Sequence, residues 1–199
     1  MTDLDALRAG PLADLADPAP LVERETVFAG RVWDIVRDTV TFGGGSMVRE
    51  YTAHTGAVAI AAIDDDGRLL LINQYRHPIG TRDWELPAGL LDQPGEPPLE
   101  AARRELAEEA DLVAAEWEPL TSFFSSPGGS NEVITIFEAR GLSAAPEVHD
   151  RTDEEAEIVT RWVDLDEALE AVRAGRLRNA PLIIALLTLR ARRGSAAAG

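Results

Sequence analysis

Residues Pro98–Ala110 constrain what this chain can fold into more than any other stretch. At about 100° per residue, with Leu99 at zero, Ala102, Leu106 and Ala110 fall at about 300°, 340° and 20° and make one apolar stripe. Glu108, Glu105 and Glu109 fall at about 180°, 240° and 280°, a carboxylate face along one edge of that stripe. Ala101, at about 200°, leaves room beside the acids. Pro97 and Pro98 suit a first helical turn, where a missing N–H costs little, and Glu96 and Glu100 suit its positive end. The spacing therefore predicts a helix over 98–110 whose apolar side needs a partner layer and whose acids border it.

Three carboxylates at i, i+3 and i+4 repel one another by about 0.2–0.5 kcal/mol per pair on an exposed helix, and by more in a cleft. A divalent cation relieves that repulsion, and ligands made only of oxygen select Mg2+ or Mn2+. The plain alternative is a solvated acidic face, and spacing alone does not separate the two. Composition narrows the rest of the chemistry. Of 199 residues, 35 are acidic and 19 basic, a net charge of −16, and all the basic ones are Arg. Without Lys there is no P-loop lysine and no Schiff base. Without Cys there is no thiolate nucleophile, iron–sulfur cluster or disulfide. His54, His77 and His149 are scattered. What remains is carboxylate, hydroxyl and hard-cation chemistry, with Arg as the anion binder. The acidic balance argues against nucleic acid and anionic membrane as partners. No apolar run reaches the roughly 18 residues of a span, and the first residues lack a signal-peptide layout. The expectation is a soluble cytoplasmic protein.

The length suits one core of ordinary size, or a core plus a small appendage. Residues 1–20 read as a flexible arm, 21–55 as an N-terminal β unit and 56–195 as the main domain. The β pattern starts at Val27 and turns at Gly43-Gly44-Gly45. Gly56–Ile63 is a buried strand, and with Arg68–Tyr75 it reads as a hairpin across Asp64–Gly67. Strands are expected near Glu116–Phe124, Val133–Arg140 and Glu157–Val163, and helices over Leu165–Ala174 and Ala180–Arg193. Strands and helices mix without βαβ alternation, so the fold class is α+β with a mixed sheet.

Arg104-Glu105-Leu106-Ala107-Glu108-Glu109 resembles the core of the Nudix box, G-x5-E-x7-R-E-U-x-E-E-x-G-U. Glu96 precedes Arg104 by the proper seven residues, and Leu112 fills the last apolar position. Two departures stand out. Six residues separate Gly89 from Glu96 where the box has five, and Asp111 replaces the second Gly. Asp tolerates a left-handed backbone better than most residues, so the helix can still stop there. The resemblance implies an α/β/α sandwich in which box-bound cations bridge a diphosphate and water cleaves a P–O bond. It implies Glu105, Glu108, Glu109 and the Ala88 carbonyl as metal ligands, Glu109 counting also in the catalytic set. Gly89, Glu96 and Arg104 would be structural, Arg104 holding the box loop by ion pairing.

Four more stretches are similar to the ADP-ribose pyrophosphatase branch of that family: Arg49-Glu50-Tyr51, Gln74-Tyr75-Arg76, Trp84-Glu85-Leu86-Pro87-Ala88-Gly89, and Ser126-Pro127-Gly128-Gly129-Ser130-Asn131-Glu132. They imply a substrate-binding set of Arg49, Arg76, Glu85, Gly128, Gly129 and Glu132, Glu132 contacting a terminal ribose. Structural ion pairing is the plain alternative for the arginines and Glu85, and a simple hairpin connection for the Pro-Gly-Gly loop. Phe28 or Trp33 could stack on adenine, although core packing is the commoner role of an aromatic. The resemblance further implies a base in the loop before Ile158, with Glu154 the best match and Glu155 next, and a homodimer built through the N-terminal β unit. The implied reaction is Mg2+-dependent cleavage of ADP-ribose to AMP and ribose 5-phosphate. Another nucleoside diphosphate sugar or NADH as substrate, and a non-catalytic metabolite sensor, are the alternatives.

Overall fold

The structure, a computed structural model, describes residues 8, 10–147 and 157–196. The chain divides into two compact units, Met1–Ala53 and His54–Gly199.

The first unit is an antiparallel ribbon of β1 (Leu21–Phe28), β2 (Asp34–Phe42) and β3 (Gly45–Ala53), in that order. Gly43 and Gly44 turn β2 into β3 with φ of 59° and 80°, a region that favours glycine at both positions. β1 starts six residues before the expected Val27, because almost all of its residues are exposed and no buried face imposes an alternation. Leu21, Val22, Phe28, Phe42 and Val48 stay at least half exposed. Trp33 is exposed too, so neither it nor Phe28 packs a core as expected. Asp38 is the ribbon's buried polar residue: Arg24 donates to both of its oxygens at 2.7 Å and the Tyr51 hydroxyl donates at 3.0 Å.

The Arg24 hydrogen bonds hold the Asp38 carboxyl below its ordinary pKa, against the opposing effect of burial. A depressed carboxylate stabilises the folded state above its unfolded pKa of about 3.9, and that contribution is lost as pH falls through the folded value. Asp38→Asn is therefore expected to flatten the acid-induced loss of stability below about pH 4. Urea unfolding at a series of acid pH values, compared with the parent chain, checks this.

The second unit is layered. β4 (Ala57–Ala62), β7 (Ala88–Leu90), β8 (Leu112–Phe124) and β9 (Val133–Ala144) form a mixed sheet in the order β7-β4-β9-β8, with β4 and β9 parallel. β5 (Leu69–Arg76), β6 (Thr81–Glu85) and β10 (Val159–Val163) form an antiparallel sheet in the order β10-β5-β6. β4 and β5 are therefore not the expected hairpin. Only Ile63 and Leu69 bridge them, since the two edges of β4 are taken by β7 and β9. β8 starts at Leu112 and β9 runs to Ala144, each four residues beyond expectation.

β4 is apolar on both sides, and alternate residues feed two cores. Val58, Ile60 and Ala62 pack with Ala101, Ala102 and Leu106 of α1 (Pro98–Ala110). Ala59, Ala61 and Ile63 pack with α2 (Leu165–Arg173) and α3 (Ala180–Ala196). Helix, sheets and helices thus give the three-layered α/β/α arrangement, within an α+β chain. No helix among the described residues is long and apolar enough to cross a membrane.

Candidate active site

α1 begins at Pro98 and ends at Ala110, as its pattern predicts, and Asp111 closes it with φ 54° and ψ 35°. In that left-handed conformation the Asp111 N–H donates to the Ala107 carbonyl at 3.1 Å, so Asp does the work of a C-terminal glycine. The helix lies with more of its surface covered than the stripe required. Ala101 is fully buried, and so, nearly, are Glu105 and Glu109, at 9% and 4% exposure. The carboxylate edge has been folded into the protein.

Strand β7 explains how those acids are accommodated. The Ala88 N–H donates to Oε2 of Glu109 at 2.8 Å. A Cβ on Gly89 would stand 2.0 Å from the Glu105 carboxyl, so only glycine lets strand and carboxylate approach this closely. Arg104 supplies the balancing charge. It donates from Nε and Nη2 to the two oxygens of Glu96, each at 3.2 Å, and from Nη1 to Glu105 at 2.6 Å and Glu108 at 3.0 Å. The Glu96 hydrogen bonds above all raise the Arg104 pKa above its ordinary value, so it is a permanent cation here. Glu96, Glu105 and Glu108 share this one guanidinium. It draws Glu105 and Glu108 onto itself while Glu109 turns to the Ala88 N–H. Among the described residues, no three acidic or His side chains converge into a ready cation cage.

A second cluster joins the start of β4 to the loop after β8. Gly56 donates its N–H to Nδ1 of His54 at 3.0 Å, which leaves the ring proton of neutral His54 on Nε2. That nitrogen stands 3.3 Å from Oε1 of Glu132, whose other oxygen accepts from the Ser125 hydroxyl. The His54 N–H donates to Oδ1 of Asn131 at 2.7 Å. Pro127-Gly128-Gly129 forms a turn closed by the Gly129 and Ser130 N–H groups on the Ser126 carbonyl. Added Cβ atoms at Gly128 and Gly129 would meet open space, so packing within the chain does not demand glycine there. His54 does not stand out in the sequence among the three scattered histidines. Its signal is a contact two residues along plus one across 77 positions, which no periodicity reveals. His54→Leu, which strips the Gly56 N–H of its acceptor, is expected to lose about 1–3 kcal/mol, with His54→Asn losing less. Thermal melting compares them.

Arg76 and Glu85 face each other across β5 and β6. Nε and Nη2 of Arg76 donate to the two Glu85 oxygens at 2.8 and 2.9 Å, and Glu85 is buried. Arg49 belongs to the N-terminal unit, where it donates to the neighbouring Val48 carbonyl. Glu154 and Glu155 lie outside the described residues.

The order Gly89, Glu96, Arg104, Glu105, Glu108, Glu109 on this strand, loop and helix coincides with a whole-domain match: residues 53–186 match the NUDIX domain. The chain belongs to the Nudix family. Its relatives include an ADP-ribose pyrophosphatase of Mycobacterium tuberculosis (strain ATCC 25618 / H37Rv), 42% identical over 173 residues, which cover 85% of this chain and 82% of that one. An ADP-ribose pyrophosphatase of Bacillus subtilis (strain 168) is 34% identical over 166 residues, 83% and 89% of the two chains. A solved structure described as an ADP compounds hydrolase superposes with a TM-score of 0.76, covering 92% of this chain and 98% of the other. At 24% identity that likeness speaks for the fold. In this Nudix chain the extra loop residue between Gly89 and Glu96 leaves the Glu96–Arg104 pair intact, and Asp111 accepts the backbone conformation expected of the missing glycine.

Proposed function

We propose that the chain hydrolyses the diphosphate of ADP-ribose to AMP and ribose 5-phosphate, with Mg2+ or Mn2+ as its cation. The observation that carries this reading is the burial of Glu105 and Glu109 against Ala88 and Gly89. Glu96, Glu105 and Glu108 bring three negative charges to the one of Arg104, and Glu109 adds a fourth beside them, a surplus that a divalent cation offsets. The donors are all oxygen, and the missing Cβ of Gly89 makes the space that the Glu105 carboxyl occupies, so the residues fit a hard divalent ion. Glu105, Glu108, Glu109 and the Ala88 carbonyl would hold it. When bound, such a cation neutralises diphosphate charge and acidifies the attacking water. Names of the relatives at 42% and 34% identity direct the substrate to ADP-ribose.

The chain's own residues divide the remaining work. Arg104 restrains Glu105 and Glu108 and ties the box loop to the helix through Glu96. Glu85 fixes the Arg76 guanidinium from one side, a restraint suited to a phosphate clamp. Glu132, set by His54 and Ser125, accepts from a ribose hydroxyl, and Gly128 and Gly129 admit the substrate closely. Arg49 completes the substrate contacts. Glu154, or Glu155 in its place, takes the proton of the water as its oxygen joins phosphorus and the P–O bond between the two phosphates breaks. The exposed apolar side chains of the N-terminal ribbon support a homodimer formed through that unit.

Incubating the protein with ADP-ribose and Mg2+ and separating the products tests the reaction. AMP and ribose 5-phosphate in equal amounts are expected, and no turnover of ADP-ribose or other nucleoside diphosphate sugars would sink it. Gly89→Ala is expected to push the Glu105 carboxyl aside and lower kcat by about 10–100-fold, the scale of losing a ligand's positioning contact. Its melting temperature should change little, because the displaced group is the end of a side chain. Light scattering of the eluted protein reports the dimer.

A further inference from the structure

We propose that a groove on the α2–α3 side of the Nudix unit binds a nucleoside monophosphate, with its phosphate on Arg176 and Arg178 and its base against Trp84. The groove is separate from the contacts assigned above. β5 and β6 pair with Asn73 opposite Trp84 and Ile72 opposite Glu85, so Trp84 and Glu85 lie on opposite faces. Trp84 packs with the core of α2 and α3, whereas Glu85 and Arg76 face the other way.

The cavity holds about 450 Å3 and is walled by Thr81, Arg82, Asp83 and Trp84 on one side and by Arg176 and Arg178 on the other. A second hollow of about 240 Å3 adjoins it, sharing Trp84 and Arg176. Together they have the size of a small-ligand site.

Charge shows which ligand fits. The chain carries 35 acidic residues against 19 arginines, so carboxylate partners abound. Around the groove, Arg82 is held by Glu157 and Arg161 by Glu167, while the Asp83 carboxylate accepts from Asn179 at 3.2 Å. The guanidiniums of Arg176 and Arg178 have no acceptor among the described residues. Both sit on the short connection after Gly175, whose φ of 69° turns the chain out of α2. Two guanidiniums lining one hollow of a chain with a net charge of −16 make a local phosphate site, since a guanidinium matches phosphate oxygens in geometry as well as charge. The half-buried indole between the two hollows offers a flat surface to a base. Free phosphate would use the arginines but not Trp84, and a nucleoside would use Trp84 but not the arginines.

Equilibrium dialysis with AMP, in EDTA so that no cation assists the box, tests the site without any turnover. Its outcome is therefore independent of the ADP-ribose reading. Arg176→Gln/Arg178→Gln is expected to lose one bound AMP per chain, or to weaken that site by about tenfold or more. Adenosine should bind the parent chain at least about tenfold more weakly than AMP, and Trp84→Phe should retain AMP. The melting temperature and ADP-ribose turnover of the double variant should match the parent's. Unchanged AMP binding in the double variant overturns the proposal. So does adenosine binding as well as AMP, or inorganic phosphate displacing AMP at equal concentration, which would make the groove a plain anion site.

Discussion

Replacing Glu109 by Gln is expected to lower kcat for ADP-ribose by about 10²–10³-fold, on the scale of removing one charge-stabilising group from a site, while the fold survives. The substitution isolates charge from shape. Gln has nearly the volume of Glu, and its amide oxygen can still accept from the Ala88 N–H that Glu109 holds at 2.8 Å. At 4% exposure the side chain has little other freedom, so what disappears is the negative charge itself. A neutral side chain there is, if anything, easier to bury. Activity should fall without a matching fall in melting temperature, and the Mg2+ concentration giving half-maximal rate should rise. Glu100→Gln is the contrast on the same helix: Glu100 is exposed and pairs with Arg103 at 2.8 Å, so its loss should leave kcat within about twofold. Equal rates for the two variants would remove Glu109 from the cation-binding set.

Much of this arrangement is legible in the chain because it is local. The helix over 98–110 follows from a period, and its closure at Asp111 from the few residue types that accept a left-handed backbone. The buried strand at 57–62 is legible as a run of apolar residues. What that run does not reveal is its neighbours. β4 pairs with β7 and β9, the latter more than 70 residues away, and a reading by proximity gives it to β5 instead. The same limit separates two kinds of site information. Spacing puts the box acids on one helix face and the family resemblance gives them a role, whereas the chain from Gly56 through His54 to Glu132 and Ser125 depends on segments that only folding brings together. Arg104 shows an intermediate case. Its pairing with Glu96 is foreseeable from the box, but its hold on Glu105 and Glu108 depends on how far the helix is buried.

Leu106→Ala is expected to have the opposite effect to Glu109→Gln, three residues away on the same helix. Leu106 is fully buried between Val58, Ile60 and Phe137 of the sheet and the alanines of its own helix. Truncation removes the transfer free energy of its side chain and leaves a cavity between a central strand and a helix, neither of which can close on it cheaply. The expected loss is about 2–5 kcal/mol. For a chain of this size each kcal/mol lowers the melting temperature by about 2–4 °C. Leu187→Ala, on an exposed face of α3 at 56% exposure, should change stability by less than about 0.5 kcal/mol. The two positions thus separate burial from residue type. At a temperature where the Leu106→Ala protein remains folded, its kcat should stay far closer to the parent's than that of Glu109→Gln, because the carboxylates keep their contacts with Ala88 and Arg104. A variant that melts normally yet loses activity would mean that Leu106 sets the height of the acids over β7 rather than the stability of the layer. Denaturant unfolding and steady-state rates on one preparation decide between those outcomes.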